Sequence, residues 1–229
     1  MNDALRKIAE SAAKGNEGIL DLDFGGKSIR ENDEYKKQKV IADKIYSKLS
    51  YIYSGSGEDP IIKMMEFNEN DYVLTLYQGT LTASKFNQMS AGMDIHLKAW
   101  FVLGYYASVY ELACKCITSI AKNLSATPAT LSCGDARTVL KDKHGLPEIA
   151  NYFDNFLRNA IDHTQYIITD LAKGEIDAWN TDPRTGVKTT KKQYALMDVF
   201  QDTLSLLFMI IAIFVKGNEE IVERSRAMI

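Results

Sequence analysis

Apolar residues that recur every three or four positions predict helices over most of the chain. In the segment 34–53 the apolar positions follow this spacing, with Asp33 before them as a candidate N-cap and Ser54-Gly55-Ser56-Gly57 after them as a stop. The segment 89–123 is apolar around much of its circumference, as expected of a central core helix. This pattern predicts an all-α fold. Further helices are predicted over 4–14, closed by Gly15, over 134–143 and over 146–163, with a loop at 125–130.

The pattern changes after His163. Residues 166–169 and 176–179 are typical of strands, and residues 180–186 carry a strong turn signal. We therefore expect a small hairpin-like excursion after the helix at 146–163. Two other segments stay open on the pattern alone: 19–29 fits a loop or a strand pair, and 71–79 fits a short strand or an early helix.

A long apolar helix follows the excursion. Thr189 or Thr190 is its candidate N-cap, it reaches Val215, and Gly217 is expected to break it. Its most apolar part, 204–215, is twelve residues long, whereas about 20 are needed to span a bilayer. We therefore predict a buried core helix and no membrane association.

The composition is that of an ordinary soluble globular protein, with 46% hydrophobic and 25% charged residues among 229. A net charge of −3 argues against coating nucleic acid by bulk charge, so a nucleic-acid role has to come from a local site. The first residues lead into a charged helix rather than a signal peptide. Three cysteines, an odd number without zinc-ligand spacing, are typical of a reducing compartment, so we expect a cytoplasmic protein.

Neither the cysteines nor the glycine-rich segment indicates a bound cofactor. Cys114 and Cys116 point about 200° apart on a helix, so they can neither share a metal ion nor bond to each other. We expect these cysteines to be small core residues. Gly26-Lys27-Ser28 is like the end of a phosphate-binding loop, but Asp21 stands where that loop requires a glycine. We therefore predict no metal and no cofactor.

One polar constellation stands out, in the segment 157–166, which reads Leu-Arg-Asn-Ala-Ile-Asp-His-Thr-Gln-Tyr. Arg158 and Asp162 lie one helical turn apart, and so do Asn159 and His163. Arg158 and His163 are about 140° apart on an ideal helix. They converge on one phosphate only if the helix ends or distorts there, or if a second subunit contributes. The alternative is a surface ion pair between Arg158 and Asp162, with His163 favoured by the helix dipole.

The motif Arg-Asn-x-x-x-His resembles the signature of the HEPN (higher eukaryotes and prokaryotes nucleotide-binding) superfamily. The sequence Leu-Arg-Asn-Ala-Ile-x-His-x-x-Tyr is similar to that of the bacterial members, and the resemblance covers roughly 89–229. It implies a HEPN-like helical domain over 81–229. The region 1–80 is helical with loops, has no assigned role and can pack on the same bundle. HEPN toxins that a partner nucleotidyltransferase modifies carry Tyr two residues after the His, where this chain has Gln165.

The resemblance implies a metal-independent endoribonuclease, as a toxin or an antiviral abortive-infection effector. His163 would be the general acid or base, Arg158 would stabilise the phosphorane, and Asn159 would orient His163 or bind the phosphate. The products would carry a 2′,3′-cyclic phosphate. The family also implies a homodimer that brings two such sets into one cleft, and an antitoxin or regulatory partner. The alternative is a non-catalytic HEPN-like module for RNA or nucleotide binding, or for oligomerisation.

A basic segment follows the motif and is a candidate for holding RNA. It carries no acidic residue, and its cations can follow a phosphate backbone. The alternative is a solvated loop. Tyr166 is a candidate for stacking on a base, or for pinning the excursion to the bundle. The cations of the segment are Arg184, Lys188, Lys191 and Lys192.

Overall fold

The computed structural model describes residues 2–53, 70–125 and 131–227, and in these ranges the chain is mostly helical. This agrees with the predicted all-α class, to which a small antiparallel sheet is added. The helices are α1 (Asn2–Leu20), α2 (Asp33–Tyr53), α3 (Asn70–Met89), α4 (Ile95–Ser125), α5 (Cys133–Thr138), α6 (Asn155–Asp162) and α7 (Leu196–Ala227). The strands are β1 (Tyr166–Asp170), β2 (Glu175–Ala178) and β3 (Lys192–Ala195). The predicted stop at 54–57 and the loop residues 126–130 lie outside the described residues.

Helix α7 forms the centre of the core. It packs against α1, α2 and α4, and residues 204–215 are all buried. The predicted core helix is therefore confirmed. The segment Leu196–Arg224 is long and apolar enough to cross a membrane, with a mean hydropathy of 1.9 in its most apolar window. However, 83% of that window is buried inside the protein, as in the core helix of a soluble protein.

Two predicted glycine stops are wrong, because α1 and α7 support each other where the glycines lie. Helix α1 continues through Gly15 to Leu20, and α7 continues through Gly217 to Ala227. The Asn218 side chain donates to Asn16 Oδ1 at 2.8 Å, and the Asn16 amide donates to the Val215 carbonyl at 3.1 Å. These interhelical bonds outweigh the low helix propensity of glycine, about 1 kcal/mol per residue.

Several predicted boundaries in the first half need correction. The N-cap of α2 is Asn32 rather than Asp33, since Asn32 Oδ1 accepts from the Glu34 and Tyr35 N–H groups. The segment left open at 71–79 is helical, as part of α3. The segment 19–29 holds a turn closed by an isolated bridge between Asp23 and Ser28. The predicted domain boundary at residue 80 falls within α3, and α1 and α2 pack on α7. Where the domains divide stays a prediction.

The two helices predicted at 134–143 and 146–163 are both interrupted. The first is α5 followed by a π-helical turn, Val139–Lys143. The second is a 3-10 turn, Pro147–Tyr152, then two extended residues, then α6. The interruption is explained by Asp154, whose extended backbone and side chain form the N-cap of α6.

The hairpin-like excursion is confirmed and is larger than predicted. Its strands lie in the order β1-β2-β3, all antiparallel, with Tyr166 opposite Ala178 and Ile176 opposite Tyr194. Strand β3 was not predicted. Because residues 192–195 pair with β2, α7 begins at Leu196, and the expected caps Thr189 and Thr190 precede the strand instead.

Cys114 is buried in the core as predicted, but it also forms a bond that the sequence did not indicate. Cys114 of α4 and Cys133, the first residue of α5, form a disulfide bond. Cys116 is unbonded and fully buried, as expected of a small core residue. The bond was missed because Cys133 lies 19 positions along the chain and reaches α4 only in the tertiary structure.

Candidate functional site

Helix α6 is held in place at its first turn by Asp154. The Asp154 Oδ1 accepts from the N–H groups of Phe156 at 2.8 Å and Leu157 at 3.0 Å. The Tyr194 hydroxyl from β3 donates to Asp154 Oδ2 at 2.7 Å, and the Tyr106 hydroxyl from α4 bonds to the Asp154 backbone. Burial raises the pKa of both tyrosines well above the ordinary value, so both hydroxyls remain protonated donors. Asp154 therefore joins α6 to α4 and to the sheet.

The C-terminal end of α6 is a Schellman motif that stops the helix at His163. His163 is the C-cap, and Thr164 follows in the left-handed region with φ +52°. The Thr164 N–H donates to the Ile161 carbonyl at 3.0 Å, and the Gln165 N–H donates to the Ala160 carbonyl at 2.7 Å. Threonine occupies the position where glycine is usual, and the predicted end of the helix at His163 is confirmed. The helix thus ends at the motif, which is one of the conditions for Arg158 and His163 to converge.

The Arg158 guanidinium is bound by two carboxylates. Its Nε and Nη2 donate to Glu111 Oε1 at 3.0 and 2.6 Å, and its Nη1 lies 2.9 Å from Asp162 Oδ2. Nη1 also donates to Asn159 Oδ1 at 3.2 Å. The ion pair with Asp162, which the sequence analysis offered as the alternative to a functional role, is present. Nothing in the sequence indicated Glu111, which lies 47 positions away on α4. Because all three charged side chains are at least one-third exposed, each ion pair contributes only about 0.2–1 kcal/mol to the free energy of unfolding.

His163 lies one turn beyond Asn159 on α6 and is exposed to solvent. Its backbone N–H donates to the Asn159 carbonyl at 3.2 Å. Within the part of the chain that the structure describes, its imidazole has no hydrogen-bond or ion-pair partner. The side chain is therefore available for proton transfer to or from a bound molecule.

An open groove of about 670 Å³ lies between α4, the start of α5 and α6. Arg158 and Asn159 line it on one side, and the Cys114–Cys133 disulfide lines it as well. His163 is not among its lining residues. The α4 side contributes polar side chains that sequence analysis missed, namely Glu111, Lys115, Thr118, Ser119 and Lys122. These polar residues recur every three or four positions along an otherwise apolar helix, and that spacing is the signal that could have revealed them.

The basic segment lies on the sheet side of the molecule and contacts aromatic rings. The Lys188 and Lys191 ammonium groups lie 5.1 and 5.7 Å from the centre of the Trp179 ring. Lys191 also pairs with Asp177 at 3.4 Å, and Lys192 lies 4.5 Å from the centre of the Phe156 ring. None of these lysines is among the residues that line the groove.

The two remaining candidates also lie outside the groove. Arg184 is exposed in the turn between β2 and β3, where its backbone N–H donates to Asp182 Oδ1. Tyr166 is half-buried in β1 and packs against the core, so packing alone explains an aromatic residue at this position.

Among the described residues, no group of three or more His, Cys, Asp or Glu side chains could hold a metal ion. Comparisons with family models, curated protein sequences and solved structures found no significant match.

Proposed function

We propose that this chain is a HEPN-like, metal-independent endoribonuclease, with Arg158, Asn159 and His163 as its site. One observation carries the proposal: α6 brings Arg158 and Asn159 to an open groove and ends at an exposed His163. The Schellman motif after His163 supports it, because a non-glycine residue held at positive φ stores backbone strain, which is common at functional sites.

RNA supplies its own nucleophile, the 2′-hydroxyl beside the scissile phosphate. His163 takes the proton from this hydroxyl, the 2′-oxygen attacks phosphorus, and the bond to the 5′-oxygen breaks. The products are a 2′,3′-cyclic phosphate and a 5′-hydroxyl end, the latter formed when the leaving oxygen takes a proton from a general acid. Arg158 binds the phosphate bidentately and stabilises its growing charge, which requires it to exchange Glu111 and Asp162 for phosphate oxygens.

The reaction uses two proton-transfer groups, and one protomer supplies a single His163. We therefore propose a homodimer in which two sets share one cleft. A toxin or abortive-infection effector of this kind would need an antitoxin or regulatory partner. Growth arrest on expression that His163→Ala relieves would support this role, and an active enzyme that stays monomeric in light scattering would contradict the dimer.

The direct test is cleavage of labelled RNA by the purified full-length chain in the presence of EDTA. Arg158→Ala and His163→Ala should each lower the rate by at least about a hundredfold, the lower range for loss of acid–base catalysis. The matched controls are Arg30→Ala, an exposed arginine paired with Asp21, and His96→Ala, an exposed histidine on α4. Activity that survives either site variant, or that EDTA abolishes, would refute the proposal.

A second candidate is a non-catalytic module that binds RNA or a nucleotide. The observation in its favour is the engagement of Arg158 by two carboxylates, in a groove that His163 does not line. This module would bind RNA without turnover, and binding would fall in Arg158→Ala but not in His163→Ala. Cleavage by the wild-type chain that is lost in His163→Ala would exclude it.

A further inference from the structure

The groove is locally positive, although the whole chain carries a net charge of −3. Its lining includes three cations, Lys115, Lys122 and Arg158, against one acid, Glu111. Glu111 and Asp162 both bind Arg158, so the excess positive charge comes from the two lysines, neither of which is paired with a carboxylate in the described part of the chain. Other lysines of the same chain do form such pairs, among them Lys36, Lys37, Lys44, Lys191 and Lys216.

The spacing of these cations fits an extended ligand rather than a single anion. Lys115 and Lys122 are seven residues apart on α4, so they lie within about 20° of one another around the helix and about 10 Å apart along it. Arg158 contacts Glu111, which lies one further turn, about 6 Å, before Lys115. Arg158, Lys115 and Lys122 thus follow one line of about 16 Å along α4. The hydroxyls of Thr118 and Ser119 line the groove between the two lysines.

The walls of the groove leave these cations accessible. The disulfide holds the first residue of α5 against α4 and so fixes one wall. Two further acids are adjacent in sequence to lining residues, Asp135 beside Gly134 and Asp154 beside Asn155. The Tyr194 hydroxyl donates to the Asp154 carboxylate at 2.7 Å, and the Ser132 hydroxyl donates to the Asp135 carboxylate at 2.6 Å in a capping box. The negative charge of Asp135 is thereby tied to the helix start.

The basic segment on the sheet does not continue this line. Lys192 lies over Phe156, and residues 156 and 158 point about 200° apart on α6. Lys192 is therefore on the opposite flank of α6 from the Arg158 guanidinium. Lys191 is partly neutralised by Asp177.

We infer that the groove binds the phosphodiester backbone of single-stranded RNA, with Lys115 and Lys122 as phosphate-binding cations that continue from Arg158. This inference rests on the proposed function, because it places the strand that leads into the cleavage site. It replaces Arg184, Lys188, Lys191 and Lys192 with the α4 lysines as the main contacts to the strand.

The test uses a short fluorescein-labelled 2′-O-methyl oligoribonucleotide, which lacks the nucleophile and binds without being cut. Its dissociation constant is measured by anisotropy with the full-length chain over a series of salt concentrations. The Lys115→Gln, Lys122→Gln double variant should weaken binding about tenfold or more at low salt. It should also reduce the slope of log K against log salt by about 1.4, since each phosphate contact on a single strand contributes about 0.7.

Two controls accompany this variant. Lys85→Gln combined with Lys98→Gln removes the same charge from α3 and α4 outside the groove, and should leave affinity and slope unchanged. Lys115→Arg combined with Lys122→Arg keeps the charge and should retain binding, which separates loss of charge from loss of folding.

Each outcome decides the inference. Failure of the wild-type chain to bind the probe, or unchanged binding in the Lys115, Lys122 double glutamine variant, would overturn it. So would binding that depends on Lys188 and Lys191 instead. Binding lost in that variant while the wild-type chain fails to cut unmodified RNA would support the groove and refute the nuclease.

Discussion

The disulfide between Cys114 and Cys133 should make a measurable contribution to the free energy of unfolding. It closes a loop across 19 positions and joins α4 to the first residue of α5. In the loop-entropy model, a cross-link over about 20 residues stabilises the folded state by about 3 kcal/mol, because it restricts the unfolded chain. For a protein of this size, that corresponds to a decrease in Tm of about 6–12 °C when the bond is absent.

The perturbation is either excess dithiothreitol or the substitution Cys133→Ser, and the assay is urea unfolding followed by circular dichroism. Cys116→Ala is the control, because it alters core packing but leaves the bond, so its stability should still fall by about 3 kcal/mol on reduction. Equal stability with and without reductant would refute the reasoning. The reasoning would also be refuted if a thiol assay on protein denatured without reductant found three free thiols instead of one. Because both bonded cysteines line the groove, reduction should also weaken binding of the oligonucleotide probe.

Three further predictions concern α6 and its surroundings. Thr164→Gly should raise the free energy of unfolding by about 1 kcal/mol in urea, because it relieves a β-branched residue at positive φ; a loss would contradict the helix end described. Tyr194→Phe removes the bond to the Asp154 carboxylate and should cost about 2 kcal/mol in the same assay, and it should lower RNA cleavage by loosening α6. Burial, with Asp198 and Asp154 adding to it, raises the pKa of Asp202. This contribution to stability is present below the unfolded pKa and is lost as pH rises through the folded pKa, so Asp202→Asn should raise Tm near neutral pH but not in acid.

The elements that the sequence predicted well are those whose signals are local. The periodic apolar positions of α4 and of residues 204–215 place those helices in the core, where the structure has them. The turn signal at 180–186 and the strand-like residues beside it predicted the excursion. The pair between Arg158 and Asp162 follows from one-turn spacing alone, and it forms at 2.9 Å.

The predictions that failed depend on partners distant in the sequence. Gly15 and Gly217 do not stop their helices, because Asn16 and Asn218 bond across the α1–α7 contact. Strand β3 exists because β2 lies beside it, and its own residues carry no strong strand signal.

The sequence by itself determined a helical chain with an apolar centre and a short segment bearing Arg158, Asn159 and His163, because helix periodicity and one-turn neighbours are local properties. Only the tertiary structure decided what surrounds that segment. It brought Glu111 to Arg158 and Tyr194 to Asp154, joined Cys114 to Cys133, and placed Lys115 and Lys122 along the same groove. Such contacts form between residues far apart in the chain, whose approach depends on how the helices pack rather than on any pattern within one helix.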